Sequence, residues 1–512
     1  MWNGQCVRFA NSAEADVVRL ARQRAAELAS AADHELRELC LALRESAARR
    51  GGNLSAAEQQ AQQVAGAALV FEAVRRTRGW KMHNEQLLTG LILAKGQVAE
   101  MADGEGKTLS AAIPALIGVL DDEPVHIATA NAAQAVRDYR SVSPVLERLG
   151  LSVSLLPRGT DLEGKCSAYQ TDVVYGAAEE FGRDHLRECG RSNDWIRRGV
   201  MIVDDCDTVL IDEASTLLTL AAANSPAAHR LRFGHDVVLR RDPAHELMSR
   251  DGASVAQIGR QRFFRQYAKL CGMTGTVIGA EAEFAAVYGL KSVVVQRRRK
   301  CRRVDLPDRY FATGDGKLAA IVDDIWSRQR TGQPVFAGAA ADHELQVLSD
   351  RLRRLQISHQ VLTGNQPSRE ARLAADAGRF GAVTLAATQA GQGTSIRLDE
   401  RSSQVGGLYV IGVNRQRSRR LDRQLADRAG QRGEFGFCRF FVSADDQLLD
   451  RHAPSLARRL QQTAGSDGEV HDQCDLLIQQ VQHASEQLAF ARRRELIAAD
   501  GWLVEVLAGL DA

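Results

Sequence analysis

Apolar positions along the chain fall into two regimes. From residue 12 to 79, Ala, Leu and Val recur at helical spacing among Glu and Arg, and Gly51-Gly52-Asn53 interrupts the run; this predicts a group of helices capping the next part of the chain. From about Gly96 the pattern changes to short β-branched runs alternating with helical stretches: Val125–Ala130, Asp172–Tyr175 and Val200–Asp204, then Pro334–Ala337, Ala382–Ala387, Leu408–Val413 and Cys438–Val442. Runs of this kind predict parallel strands buried on both faces, and their alternation with helices predicts doubly wound sheets. They form two groups. The first ends near Val294, and a basic stretch from Arg297 to Arg303, expected to be a solvated linker, leads to the turn signal Asp305-Leu-Pro-Asp308. The boundary between two α/β domains is expected there. From Gln461 onward the pattern is helical, with one long helix expected over Asp472–Arg493.

The first group of strands contains a loop with chemistry. Met101-Ala-Asp-Gly-Glu-Gly-Lys-Thr108 is bounded by glycines, ends in Lys-Thr and runs into the apolar stretch Leu109–Leu120. Backbone N–H groups in such a loop meet phosphate oxygens, Lys107 adds a point charge, and the Thr108 hydroxyl is suited to Mg2+. Met101 stands where a generic P-loop has glycine, so the match is to the shorter Gly-x-Gly-Lys-Thr ending used by helicase-like motors. A site of this kind needs a carboxylate at the end of a buried strand, and Val200-Met-Ile-Val-Asp-Asp-Cys-Asp207 supplies Asp204 for a metal and Asp205 for the attacking water. Charge developing on a transferred phosphoryl group calls for an arginine from a second domain; in Gln424-Leu-Ala-Asp-Arg-Ala-Gly-Gln-Arg-Gly433 the candidates are Arg428 and Arg432. The neighbouring Arg415–Arg423 segment is expected to be a solvated face.

Composition narrows the partners. Lys plus Arg number 66 against 64 Asp plus Glu, a net charge of +2, and aromatics are 5%, so nothing suggests a basic stacking groove for nucleic acid. The nine cysteines include no Cys-x-x-Cys pair, which argues against a zinc knuckle or disulfide framework and fits a reducing cytoplasm. No run approaches the roughly 18 apolar residues that span a bilayer, so any membrane contact is expected to be peripheral.

The order and wording of these segments resemble the SecA family of bacterial preprotein translocase ATPases. Gln86 in His-Asn-Glu-Gln-Leu-Leu-Thr-Gly90 matches the family's adenine-reading glutamine, and Ala99–Thr108 matches its nucleotide loop. Thr129, Asn131, Arg137 and Asp138 follow, then Tyr175-Gly176 with Glu180-Phe-Gly182, Asp184 and Leu186-Arg187, and Val209-Leu-Ile-Asp-Glu-Ala214. Beyond them come Gly272-Met-Thr-Gly-Thr276, Gly332-Gln-Pro-Val335, Ala390-Gly391 with Gly393-Thr394, and Ser418–Leu425. The resemblance implies two RecA-like motor domains binding ATP and Mg2+. It also implies nucleotide contacts from Gln86, Gly104, Glu105, Gly106, Lys107, Thr108, Gly393 and Ser395, metal ligation by Thr108 and Asp204, and catalysis by Asp205, Arg428 and Arg432.

Departures from the family pattern carry expectations of their own. Asp205 stands where the family has Glu, one methylene longer, and a misplacement near 1 Å costs roughly 10²-fold, so slow hydrolysis is expected. Gln392 replaces an Arg, Ser395 an Asp, and Gln431 the second arginine of the arginine motif. Only Ser215–Cys271 stand where the family carries a large preprotein-binding insertion, and of its scaffold, wing and finger only the scaffold's start is expected. The expected division is residues 1–220, N-terminal helices and first nucleotide-binding domain; 221–264, a remnant of the insertion; 265–304, return to the first domain; 305–455, the second nucleotide-binding domain; and 456–512, a truncated scaffold. The expected function is an ATPase motor core in the cytoplasm, peripheral on the inner face of the cytoplasmic membrane. Its expected partner is a preprotein, with the Sec membrane channel or a full-length SecA as further candidates. A nucleotide-gated chaperone or adaptor remains the alternative, and a nucleic-acid helicase the weaker one.

Overall fold

Valine, isoleucine and alanine at consecutive positions leave a strand no polar face, so it is stable only between two layers of helices. In the computed structural model, which describes residues 7–49, 54–156, 162–189, 195–221, 254–363, 373–387 and 395–510, this holds for both groups of strands. The first sheet contains β1 (Val7–Phe9), β2 (Val98–Glu100), β3 (Val125–Thr129), β4 (Val153–Leu155), β5 (Val173–Ala177), β6 (Val200–Asp204), β9 (Lys269–Thr274) and β10 (Ser292–Val294). Its order is β1-β10-β2-β9-β6-β3-β5-β4, all parallel. Every residue of β3, β5 and β6 is buried, and Ile127 at the centre lies opposite Tyr175 on one side and Ile202 on the other. Because the strands are parallel, the loops after β2, β3, β6 and β9 gather at one edge, where open α/β sheets place ligands.

The second sheet contains β11 (Arg302–Asp305), β12 (Arg309–Phe311), β13 (Val335–Ala339), β14 (Gln360–Leu362), β15 (Val383–Ala387), β16 (Leu408–Gly412), β17 (Phe435–Ser443) and β18 (Glu469–Val470). Its order is β14-β15-β13-β16-β17-β12-β18, with β11 also on β17, and β18 is the antiparallel member. The chain is therefore α/β, with two doubly wound, RecA-like sheets. A short antiparallel pair, β7 (Leu217–Ala221) and β8 (Ser254–Gly259), leaves and re-enters the first domain, and residues 222–253 between them lie outside the described residues.

The N-terminal helices Ser12–Glu27, Asp33–Arg49 and Ala56–Arg78 form as the apolar spacing predicts, whereas Gly51–Asn53 lie outside the described residues. The third opens with a reciprocal cap in which Ser55 and Glu58 satisfy each other's backbone amides. Its stretch Ala67–Val74 is buried in the core together with the helices Asn84–Ala94 and Ala112–Leu120. Those last two helices nearly touch at Gly90, where a Cβ would lie 2.6 Å from Ile113 Cδ1, and this seats the helix bearing Gln86 against the one that comes after the glycine-bounded loop Met101–Thr108.

The long C-terminal helix runs Asp475–Leu510, beginning three residues after and ending well beyond the predicted limits. It bridges both halves. Gln482 Nε2 donates to Gln416 O at 2.9 Å and to Asp422 Oδ2 at 2.6 Å in the second domain, and Arg493 forms a buried, two-pronged pair with Glu283 of the first at 2.6 Å on each side.

Candidate functional site

Met101 to Gly106 leaves the end of β2 and turns through two left-handed residues, Gly104 at φ 83° and Gly106 at φ 87°. Both need glycine: a Cβ on Gly106 would sit 2.5 Å from Gln86 Nε2, and one on Gly104 would press on Gln431. Lys107 and Thr108 open the helical turn that continues into Ala112–Leu120. Gln86 is buried beside the loop and donates to Gly106 O at 3.1 Å, while its oxygen accepts the His83 amide at 2.8 Å.

Lys107 is the focus of the charges here. Its ammonium lies 2.5 Å from Asp103 Oδ1 and 3.7 Å from Asp205 Oδ1. Burial opposes its charge, but Asp103, Asp205 and Asp204 outweigh burial and raise its pKa. Asp204 ends β6 and accepts the Asp205 amide at 2.9 Å, and Asp205 is itself held in the left-handed region at φ 51°. Gln134 Nε2 donates to Asp205 Oδ2 at 3.0 Å and so fixes that carboxylate's direction. Burial, then the neighbouring Asp205 and Asp138, push the Asp204 carboxyl well above the usual range. This is a crowd of carboxylates short of positive charge, and it fits a divalent cation. Among the described residues no His, Cys, Asp or Glu cluster makes an all-protein metal cage; Mg2+ does not need one, because it usually keeps several waters and is held by one or two carboxylates and the substrate's phosphates.

The second domain reaches the same point. Arg428 is buried and electrostatically coupled to Asp103 and Asp205, with burial lowering its pKa against the pull of those carboxylates. Arg432 is exposed at the rim, in the left-handed region at φ 56°, and its Nε donates to Gly104 O at 3.4 Å. Ser395 Oγ donates to Gln431 Oε1 at 3.2 Å, which places it beside the loop through Gln431. Glu105 accepts the Arg298 amide at 3.1 Å, and burial raises its pKa. A cleft of about 350 Å³ opens between Trp80, Gln86, Gly104, Glu105, Arg298 and Arg432. Every predicted site residue is therefore at this junction except Gly393, which lies outside the described residues.

Two expectations are corrected. Arg415–Arg423 is not a solvated face as a whole, because carboxylates from elsewhere in the chain meet its arginines. Arg420, 4% exposed, pairs with Asp207 at 2.9 Å and also with Asp212; Arg423 reaches Glu100 at 3.2 Å; Arg415 grips Asp308 and Asp422; Arg417 and Arg419 are exposed, and Arg417 still reaches Asp212 at 3.4 Å. The basic stretch after Val294 is likewise no free linker. Arg297 and Arg303 both pair with Asp427, and Arg302 begins β11, with Arg298 to Lys300 left exposed. Sequence reasoning does not find Asp103, Gln134 or the Asp207–Asp212–Arg420 bridge. The acidic character of the strand-end segments is visible in the sequence; their partners are not.

Arg420→Ala leaves Asp207 buried without its counter-charge and Asp212 with only the exposed Arg417, and breaking a buried pair in this way typically costs about 3–5 kcal/mol. A clearly lower thermal unfolding midpoint is expected, and an unchanged midpoint would mean that the bridge between the sheets does not hold them.

The profile of the SecA DEAD-like domain matches residues 8–285, and that of the SecA P-loop domain matches residues 300–404 and 398–468. The chain belongs to the SecA family. Relatives include the protein translocase subunit SecA of Clostridium botulinum strain Okra, 32% identical over 480 residues, covering 75% of this chain and 58% of that protein. The subunit of Syntrophomonas wolfei is 31% identical over 532 residues, covering 85% and 64%. The chain thus spans about three fifths of the length of these SecA proteins. Similar solved structures include S. cerevisiae Dbp5 bound to RNA and ADP BeF3, with TM-score 0.45 and 13% identity, covering 81% of this chain and 96% of that one. Another is the DUF1998 helicase MrfA bound to DNA, with TM-score 0.48 and 12% identity, covering 82% and 57%. These structural likenesses are too distant to add to the family assignment.

Proposed function

We propose that this SecA-family chain is an ATPase motor core that binds Mg-ATP in the cleft between its two sheets and hydrolyses it slowly in support of protein export. The observation that carries this is the meeting of Lys107, Asp204 and Asp205 from the first sheet with buried Arg428 from the second.

In this reading the adenine rests by Gln86, whose amide is already fixed by His83 and Gly106. Gly104, Glu105 and Gly106 shape the phosphate cradle with Lys107, and Gly393 and Ser395 complete it from the second domain. Thr108 and Asp204 hold Mg2+, which when bound neutralises phosphate charge. Asp205, aimed by Gln134, orients and accepts a proton from the attacking water. Arg428 faces the group that becomes more anionic, and Arg432 closes the rim. The division at residues 220, 264, 304 and 455 belongs to the same proposal, with residues 221–264 as the reduced preprotein insertion. So do the preprotein and Sec-channel partners and a peripheral place on the cytoplasmic membrane. Among the described residues no helix is long and apolar enough to cross a membrane.

Asp205→Glu lengthens the side chain by one methylene toward the water, and turnover about 10-fold or more above the parent is expected, since about 1 Å of misplacement is worth up to roughly 10²-fold. Steady-state phosphate release from Mg-ATP tests this. A parent rate left unchanged or lowered by the substitution would remove Asp205 from the proposed role.

A further inference from the structure

The nucleotide loop carries its own anion. Asp103 lies four residues before Lys107, and the turn through Gly104 and Gly106 brings Asp103 Oδ1 to 2.5 Å from the lysine ammonium. The carboxylate lies against Gly275, where a Cβ would come within 2.7 Å of Oδ1, so the glycine leaves room for it in that position. Lys107 is the loop's only cationic side chain. A phosphate seated in the loop needs that charge, so it and Asp103 seek the same partner.

We propose that Asp103 is a built-in competitor for nucleotide phosphate, an affinity-setting residue that must release Lys107 before ATP or ADP seats; this rests on the cleft being the nucleotide site. Two anions cannot both use one ammonium at full strength, and the weakened one sits in a half-buried site where charge-assisted bonds are strong. Asp103 does not leave by taking up a proton near neutral pH. Burial pushes its pKa upward, but Lys107, Arg428 and Arg297 outweigh burial and hold it below the usual carboxylate range. The competition is therefore present for every phosphate-bearing ligand and absent for adenosine, which offers Lys107 nothing.

Calorimetric titration of Mg-ATP, Mg-ADP and adenosine into the parent, Asp103→Asn and Asp103→Glu chains tests the idea. Asp103→Asn keeps the shape and removes the charge. It is expected to tighten ATP and ADP by about 10-fold or more, the scale of one charge-assisted contact. Adenosine affinity is expected to stay at the parent's value, and Asp103→Glu, which keeps the carboxylate, is expected to stay near the parent for all three ligands. Unchanged or weaker ATP binding by Asp103→Asn, in a parent that binds ATP, would overturn the proposal while leaving the site assignment standing. A parallel shift for adenosine would overturn it too, by showing a change of loop shape rather than released competition. No ATP binding by any of the three chains, parent included, would overturn the assignment of the cleft and the proposal with it.

Discussion

Lys107→Ala is expected to weaken Mg-ATP binding by about 100-fold or more. Two effects act in the same direction. The first is loss of charge-assisted bonds to phosphate, worth roughly 1.5–3 kcal/mol each. The second is repulsion: Asp103 and Asp205 lose the ammonium lying 2.5 and 3.7 Å away, and Asp204 and Asp138 already crowd the same corner. An incoming triphosphate would then face carboxylates with less compensation. Adenosine should still bind, because Gln86 is oriented by His83 and Gly106 and not by Lys107. Equilibrium titration of both ligands checks this. Unchanged ATP affinity would show that the phosphates lie elsewhere, and joint loss of ATP and adenosine would show a damaged fold instead.

Arg428→Ala is expected to leave ATP binding largely intact while lowering turnover by about 10³-fold, the low end of what an arginine acting on the transferred phosphoryl group contributes. Arg428 and Arg432 are equal candidates in the sequence, and burial separates them. Arg428 is enclosed and coupled to Asp103 and Asp205, whereas Arg432 is exposed and touches the loop only through Gly104 O. Water screens the second far more than the first. Arg432→Ala should therefore cost much less in rate, and Arg428→Lys should restore little, since a point charge does not reproduce the planar fork. Single-turnover phosphate release on the three variants decides. A larger loss for Arg432→Ala would exchange the two roles.

The buried centre of each sheet is legible in the sequence because runs such as Val200-Met-Ile-Val203 and Leu408-Tyr-Val-Ile411, four apolar residues rich in β-branched types, leave few alternatives. Val200–Asp204 coincides with its predicted limits, and Leu408–Gly412 differs by one residue. Strands of three residues such as β1, β4, β10 and β14 carry no period to read, and they lie toward the sheet margins. Within Lys269–Thr274 the sequence shows a family motif and not the central strand that it forms, since Gly272 weakens its β-character. At the site, the residue types are legible and their pairings are not. Arg420 and Asp207 stand 213 positions apart, so local charge spacing cannot show that they meet. Arginines on a short helix look alike whether water or a distant carboxylate receives them. Asp103 is in plain view within the loop, but its engagement with Lys107 depends on side-chain directions set by two left-handed glycines.

The most direct test of the account is phosphate release from Mg-ATP by the purified parent chain, with the Lys107→Ala chain as its blank. Slow, saturable and magnesium-dependent release is expected from the parent and none above background from the variant. Absence of release from the parent, or equal release from both chains, would contradict the assignment of the cleft as an ATP-hydrolysing site.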